Sequence, residues 1–479
     1  MNNAYPEYKS VNQKWAKEIP SHWRMERLKL VFGLRKETNN PVITDNILSL
    51  TAKQGVIPYA EKEGVGGNKP KADLTKYNIC REGDLLVNNM NVVSGAAGVS
   101  RYTGCVSPVY YPLVLRHEDN VWYYHYIFRL VTFQRSLIGL GKGILMHESD
   151  NGTLTSVRMR ISMDYLGNVL LPVPPRSEQD QIVRFLDWKV SEINKLIGIR
   201  RKEIQELGAL KSAVINSAIT RGIDANVIMK RTGVYYLPEV PASWKVTKLK
   251  RICKVGASIN DLIRKHSDRD EVVFLPMENI SEDGEIDCSI KQPIAKVKTG
   301  FSSFAKNDVV VAKITPCFEN GKGACLDKLE SDIGYGTTEL FNLRAGNDVL
   351  PEYLYFITMT KLFRILGEGQ MTGSAGQKRV PADFIRDFTI GLPPIDEQQE
   401  IVDYIRSEKG RIDRLIATKH EQLKALTEFK SSVVSDAVTG KIDVRNVTIP
   451  EYEHVDDIYD DNNEDGEETE DTETDGEEA

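Results

Sequence analysis

The sequence predicts an α+β protein assembled from one unit written twice. Two globular domains of mixed strands and short helices alternate with two long helices, which pair as an antiparallel coiled coil with pseudo-twofold symmetry. Three observations carry this expectation. Residues 174–224 and 393–443 align without a gap at an offset of 219, with 17 of 51 positions identical. Each copy repeats apolar residues in steps of three and four, the period of a helix with one buried stripe. The repeat also extends upstream of the helices, so a whole domain–helix unit is duplicated.

In chain order, the first domain spans residues 1–174 and opens with IPSHWRMERLKLVF (Ile19–Phe32), which returns as VPASWKVTKLKRIC (Val240–Cys253). GDLLVNNM (Gly83–Met90) parallels NDVVVAKI (Asn307–Ile314). Both are apolar β-type runs that follow a turn signal. VWYYHYIFRL parallels LPEYLYFITM as a short aromatic helix, and Arg160–Pro175 parallels Arg379–Pro394. These pieces predict a curved, mostly antiparallel sheet with a few helices in each globular part.

The first long helix is expected over 175–225 and the second over 393–445, separated by a second domain at 226–392. Val190, Ile193, Ile197, Ile204, Leu207, Val214 and Ala218 form one seam, and Ile412, Ile416, Leu423, Leu426, Val433 and Ala437 the other. A stripe this narrow buries itself best against a second helix, and the matched polar breaks Lys211 and Lys430 serve to fix register or donate salt bridges. Ser177 and Asp396 are the expected N-caps, and Gly222 and Gly440 the left-handed stops. Phe185, Trp188 and Phe429 lie off the seam and suggest a further partner.

Residues 446–479 are expected to be a disordered acidic tail. The net charge of −7 comes from this end: residues 451–479 hold 16 acids and no Lys or Arg, leaving 62 basic against 53 acidic residues elsewhere. Such a stretch has too little apolar content to form a core. The six cysteines contain no CxxC pair, which speaks against a zinc site or disulfide framework and for a reducing cytoplasm. No 18-residue apolar run or signal-peptide core is present, so no membrane association is expected. No phosphate-gripping GxxxxGK[ST] loop occurs, nor any Asn/Asp-Pro-Pro-aromatic string or Cys/His cluster suited to a metal.

Two similar domains joined by helices suit the reading of two patches on an extended partner. Duplex DNA fits, because sites on one face recur about every 34–36 Å. The sequence resembles the specificity subunits of type I restriction–modification systems from Ile19 to about Val444. The resemblance rests on the PPxxEQxxIV helix starts, the Ala-x-Thr helix ends, and the segments Asn88–Leu115, Met146–Ser162, Lys313–Ala324, Tyr335–Gly346 and Met371–Pro381. It implies two target-recognition domains, each reading half of a bipartite site in double-stranded DNA, with paired helices that set the spacing. It also implies two modification (methyltransferase) subunits docked on the helices and two restriction (translocase/nuclease) subunits. S-adenosylmethionine, ATP and Mg²⁺ are then used by those partners, this chain binds no cofactor, and it is not itself an enzyme. The long acidic tail departs from the family pattern.

Candidate DNA-contacting residues lie on loops after strands. In the second domain they are Lys313, Thr315, Asn320, Lys322, Thr338, Ser374, Gln377, Lys378 and Arg379; in the first, Asn88, Asn89, Asn91, Arg158 and Arg160. Asn and Gln suit adenine, Lys and Arg guanine, and Ser and Thr either bases or phosphates. The competing reading is that Asn and Gly are ordinary turn residues, and that Arg160 and Arg379 pair with Asp164 and Asp383. Glu178, Gln179, Glu397 and Gln398 are either partner-docking residues or acids and amides favoured by the helix dipole. Two other function classes remain open at this point: a self-contained restriction-type DNA enzyme, and an adaptor whose twin domains read protein.

Overall fold

The strands that lead into the candidate loops carry unbroken apolar runs, Leu85–Val87 and Val309–Ala312, which are expected where a sheet is covered on both faces. The computed structural model describes residues 4–51, 55–62, 70, 72–144, 158–374 and 376–456. The chain divides into two units, residues 1–201 with 421–479 and residues 202–420, so the boundary cuts both long helices.

In the first unit, β1 (Arg24–Arg27) precedes a four-stranded antiparallel sheet. This sheet comprises β2 (Phe32–Leu34), β3 (Leu85–Asn88), β4 (Ala97–Val99) and β5 (Tyr110–Leu115), in the order β2-β5-β3-β4. Leu85 and Val87 of β3 face the main core, and Leu86 faces a second cluster with Leu48, Leu50 and Val56. This two-sided burial accounts for the unbroken LLV run. Asn120 caps α1 (Val121–Phe128) by accepting from the Trp122 amide at 3.0 Å, and α2 (Val131–Leu137) follows. Strand β6 (Leu170–Val173) pairs antiparallel with β1 and delivers the chain through Pro174 and Pro175 into α3 (Arg176–Arg221).

The second unit repeats this plan. Strand β7 (Lys245–Lys248) precedes β8 (Cys253–Val255), and an inserted pair follows, β9 (Glu271–Leu275) and β10 (Lys291–Pro293). Next come β11 (Ser302–Ala305), β12 (Val309–Ala312), β13 (Gly323–Cys325), β14 (Ile333–Gly336) and β15 (Leu340–Ala345). The sheet β8-β15-β12-β13 is antiparallel and matches that of the first unit. A further sheet, β10-β9-β14-β11, contains a parallel pair, β9 with β14, that the sequence reading did not anticipate. Val309 and Val311 face one core while Val310 and Ala312 face another. Helices α4 (Pro351–Met359) and α5 (Lys361–Glu368) follow, and β16 (Thr389–Leu392) pairs with β7 and leads into α6 (Ile395–Val438).

The long helices contain 46 and 44 residues, or roughly 65–70 Å each at about 1.5 Å per residue. Each begins one residue before its expected cap. Pro175 and Pro394 accept the first amide bonds, from Glu178 and Gln398 at 2.9 Å, which places Ser177 and Asp396 inside the first turn. Gly222 and Gly440 end the helices with φ of +76° and +73°, as expected. In the first unit, Ile182, Leu186 and Val190 of α3 share a core with Val433, Val434 and Ala437 of α6. In the second, Ile215, Ala218 and Ile219 share one with Ile401, Val402 and Ile405. Each unit therefore joins the start of one helix to the end of the other, an antiparallel pairing. Phe185 is buried in the first core, whereas Phe429 is 56% exposed.

Residues 446–456, the beginning of the expected tail, lie along α3. Gln181 Nε2 donates to the Val447 carbonyl at 2.8 Å, and Asn194 Nδ2 to that of Val455 at 3.1 Å. The remaining tail, residues 457–479, lies outside the described residues. Among the described residues no helix is long and apolar enough to cross a membrane.

Candidate nucleic-acid interface

In the second unit three segments converge beyond the end of β12. Lys313 donates its amide to the Glu339 carbonyl (2.9 Å) and accepts from the Val380 amide (2.9 Å), and the Thr315 amide donates to the Lys378 carbonyl at 3.0 Å. Residues 372–379 form a hairpin closed by reciprocal bonds between Thr372 and Arg379, at 3.0 and 2.9 Å. Gly373 and Gly376 take φ of +126° and +82° there, a region in which a side chain is strained. Loop 313–322, the turn at 337–339 and this hairpin are thus held as one surface.

Asn320, Thr338, Ser374, Gln377, Lys378 and Arg379 are exposed on it. Lys313, Thr315 and Lys322 are half-buried and already engaged. Lys313 Nζ lies 5.4 Å over the Phe341 ring, Thr315 Oγ1 donates to Glu319 at 2.9 Å, and Lys322 Nζ donates to the Met277 carbonyl at 3.1 Å. Arg379 forms a forked pair with Glu339 at 2.9 and 2.8 Å, not the expected pair with Asp383, which binds Arg386 at 3.0 Å. The Arg379 bond holds the Glu339 carboxyl below its ordinary range, ahead of the opposing effect of burial.

The first unit repeats the backbone frame with different side-chain outcomes. Asn89 donates to the Val109 carbonyl (3.0 Å) and accepts from the Ile161 amide (2.9 Å), the bonds made by Lys313 in the second unit. Asn88 is 2% exposed and accepts from the Met90 amide at 2.9 Å. Asn89 is fully buried, and its side-chain amide finds no hydrogen-bond partner among the described residues. Neither side chain is presented to a groove, contrary to the expectation, because the end of β3 turns both inward. Asn91 is half-buried, and its carbonyl closes the next turn onto Ser94 and Ala96. Arg160 is exposed on a strand pair formed by Lys142–Ile144 and Arg158–Arg160, with no ion pair to Asp164 among the described residues. The side chain of Arg158 and residues 145–157, which take in most of the segment singled out at Met146–Ser162, lie outside the described part.

The residues read as partner-docking are used internally. Glu178 is 8% exposed and accepts from Tyr5 Oη (3.0 Å), Trp23 Nε1 (3.0 Å) and His22 Nε2 (2.7 Å). Burial and the Glu178 charge together push the Tyr5 phenol well up. Glu397 is half-buried and accepts from Trp244 Nε1 at 2.7 Å. Gln179 and Gln398 are fully buried. Their Oε1 atoms accept the Asn120 and Leu350 amides at 2.7 and 2.9 Å, and their Nε2 atoms donate to the Pro174 and Pro393 carbonyls at 3.0 and 2.9 Å. They tie each long helix to its own globular part, which leaves the two glutamines no free face for a partner. Sequence reasoning missed Trp23 and Trp244 as donors, although their recurrence in the repeated Pro-x-x-Trp segments was a usable signal. It also missed Glu339, which no repeated position marks.

Residues 241–426 match the family described as type I restriction modification DNA specificity domain. The chain is 44% identical over 167 residues to the EcoAI specificity subunit of Escherichia coli, covering 34% of this chain and 28% of that protein. It is 40% identical over 167 residues to the EcoEI specificity subunit of Escherichia coli, with 34% and 27% covered. It thus spans little more than a quarter of those two relatives. Against the putative MjaX specificity subunit of Methanocaldococcus jannaschii, identity is 23% over 452 residues, 91% of this chain and 98% of that one. A solved chain from a study of complex assembly and conformational transition in the type I system superposes with a TM-score of 0.62 at 13% identity, covering 88% of this chain and 99% of that one, a likeness of fold. Residues 241–426 are therefore similar to the type I restriction modification DNA specificity domain, and the relatives that the chain resembles are type I specificity subunits.

Proposed function

We propose that this chain is the DNA-reading subunit of a type I restriction–modification complex and performs no catalysis itself. Each globular part, residues 1–174 and 226–392, reads one half of a bipartite site in double-stranded DNA. The paired helices, 175–225 and 393–445, set the gap and dock two modification subunits, and two restriction subunits complete the assembly. S-adenosylmethionine, ATP and Mg²⁺ are used by those partners, in the cytoplasm.

One observation carries the reading. Within the stretch matched as a DNA specificity domain, exposed amide, hydroxyl and cationic side chains from three separated segments share one backbone-braced surface. Amides read adenine and cations read guanine or phosphate, while close backbone approach at Gly373 and Gly376 leaves room for the duplex. The test is a genome-wide map of modified adenines in a host expressing the chain with its modification subunit. The expected result is one split sequence with a fixed gap, of which replacing residues 226–392 changes one half only. Chain-dependent chemistry by the purified protein alone, or a stable complex that directs no methylation, overturns the proposal.

A further inference from the structure

A buried cation lies directly beneath the candidate reading loop of the second unit. Arg364 on α5 is 7% exposed, yet no carboxylate stands within ion-pair distance of it among the described residues. Its guanidinium donates instead to two carbonyls of loop 313–322, Phe318 at 2.8 Å and Gly321 at 3.3 Å. The rings of Phe318 and Phe363 flank it, with centroids at 4.8 and 5.8 Å. The loop is a short helical turn, with Phe318, Asn320 and Gly321 donating back to Ile314, Pro316 and Phe318 at 3.0 Å each. The carbonyls at the end of such a turn need donors from elsewhere. Arg364 supplies one to the Gly321 carbonyl and adds a second to that of Phe318, which already accepts from the Gly321 amide, so it braces the turn on either side of exposed Asn320.

A cation this deep is costly to desolvate, and burial pulls its pKa down to about 10. An apolar side chain of similar volume fills a core at lower cost, so packing alone does not account for an arginine here. The first unit offers a control. Gln134 occupies the corresponding position on α2, also buried, against Gly95 in the loop after β3. It donates to the Phe128 carbonyl of its own helical layer at 2.9 Å. Gly95 and Gly321 both stand two residues before the next strand with positive φ, at +83° and +90°. The same site therefore holds a neutral amide under one loop and a two-pronged cation under the other.

Building on the proposed DNA-reading role, we propose that Arg364 is a positioning residue for base discrimination in the second half-site: it fixes loop 313–322, and with it Asn320, without touching DNA. A guanidinium presents its donors as a rigid fork, which neither Lys nor Gln reproduces.

The experiment uses the full chain in complex with its modification subunits. Duplexes carry the intact site, or one base change in either half, and binding is measured as a function of salt. Arg364→Gln and Arg364→Met are expected to lower discrimination at the second half-site about tenfold, the scale of one lost base contact, with discrimination at the first half-site intact. The salt slope stays at the wild-type value, because no phosphate contact is removed. Arg364→Lys keeps part of the effect and serves as the folded comparison if the other variants do not assemble. Variants with a lowered melting temperature but wild-type discrimination in both halves overturn the inference and leave the DNA-reading role standing. A wild-type complex with no split recognition sequence defeats that role and the inference together.

Discussion

The two units share a backbone frame and differ in what is hung on it. In both, a buried aspartate opens the strand under the candidate loop and takes a forked arginine. Asp84 takes Arg35, which follows β2, whereas Asp308 takes Arg344 from within β15, the adjacent strand. In both, a buried glutamine pins the helix start, and a tryptophan bonds the glutamate before it. The side chains at the candidate surface follow no such rule. Asn89 is fully buried in the first unit, whereas Lys313 at the matching position of the second is half-buried, with its ammonium over the Phe341 ring. The shared frame is thus held by repeated main-chain and buried side-chain bonds, and the candidate surface differs between the copies.

The hub glutamates test this comparison most strongly. Glu178 serves three side-chain donors in a buried site, and Glu397 serves one in a half-buried site. Glu178→Ala strands the buried Trp23 and Tyr5 donors and is expected to cost about 3 kcal/mol, against about 1 kcal/mol for Glu397→Ala. Denaturant unfolding followed by tryptophan fluorescence measures both. Equal losses would mean that the extra donors of the first unit add nothing.

A smaller effect is expected at the proposed DNA surface. Lys378→Ala with Arg379→Ala should weaken binding through the second half-site roughly tenfold and lower the salt slope by about one for each phosphate contact removed, with assembly intact. Lys378 should carry the larger share, since the Arg379 charge is already met by Glu339. Unchanged affinity and methylation would remove this hairpin from the interface. Arg160→Ala, at the position aligned with Arg379, is the matching change in the first unit, and an effect confined to the first half-site would show that both surfaces occupy the same place on the frame.

Much of this was legible beforehand. Helical periodicity, glycine stops and two-sided apolar strands depend on neighbours close in sequence, and the repeat doubled each signal. What was not legible depends on distant partners. Glu178 meets Tyr5 and Trp23 across 173 and 155 residues, and Arg379 prefers Glu339 over the nearer Asp383. Asn88 and Asn89 read alike whether a strand end turns toward solvent or core, so their burial had no sequence signature. The parallel pair β9–β14 has no counterpart among the repeated segments, so the duplication gave no hint of it.

The smallest effect lies in the helix pair, where the repeat places Lys430 with Asn194 in the first unit and Lys211 with Asp413 in the second. Lys430 Nζ donates to Asn194 Oδ1 at 2.9 Å, and Lys211 Nζ lies 3.1 Å from Asp413 Oδ1. One cross-helix bond is charged on both sides, and the other on one side only. Burial raises the Asp413 pKa, but bonds from Lys409 and Lys211 lower it further, leaving it below its ordinary value. A carboxyl depressed in the folded state stabilises above its unfolded pKa of about 3.9, and that contribution disappears as pH falls through the folded value. Asp413→Asn, which writes the first unit's pairing into the second, should therefore cost a constant amount from pH 5 to 8. With its side chain 35% exposed, solvent screening holds this to under about 1 kcal/mol. Melting curves of the two proteins should then converge below about pH 4. A gap that persists once Asp413 is protonated would show that the difference rests on something other than the carboxylate charge, and equal melting curves at every pH would show that charge adds nothing to a pairing that asparagine supplies as well.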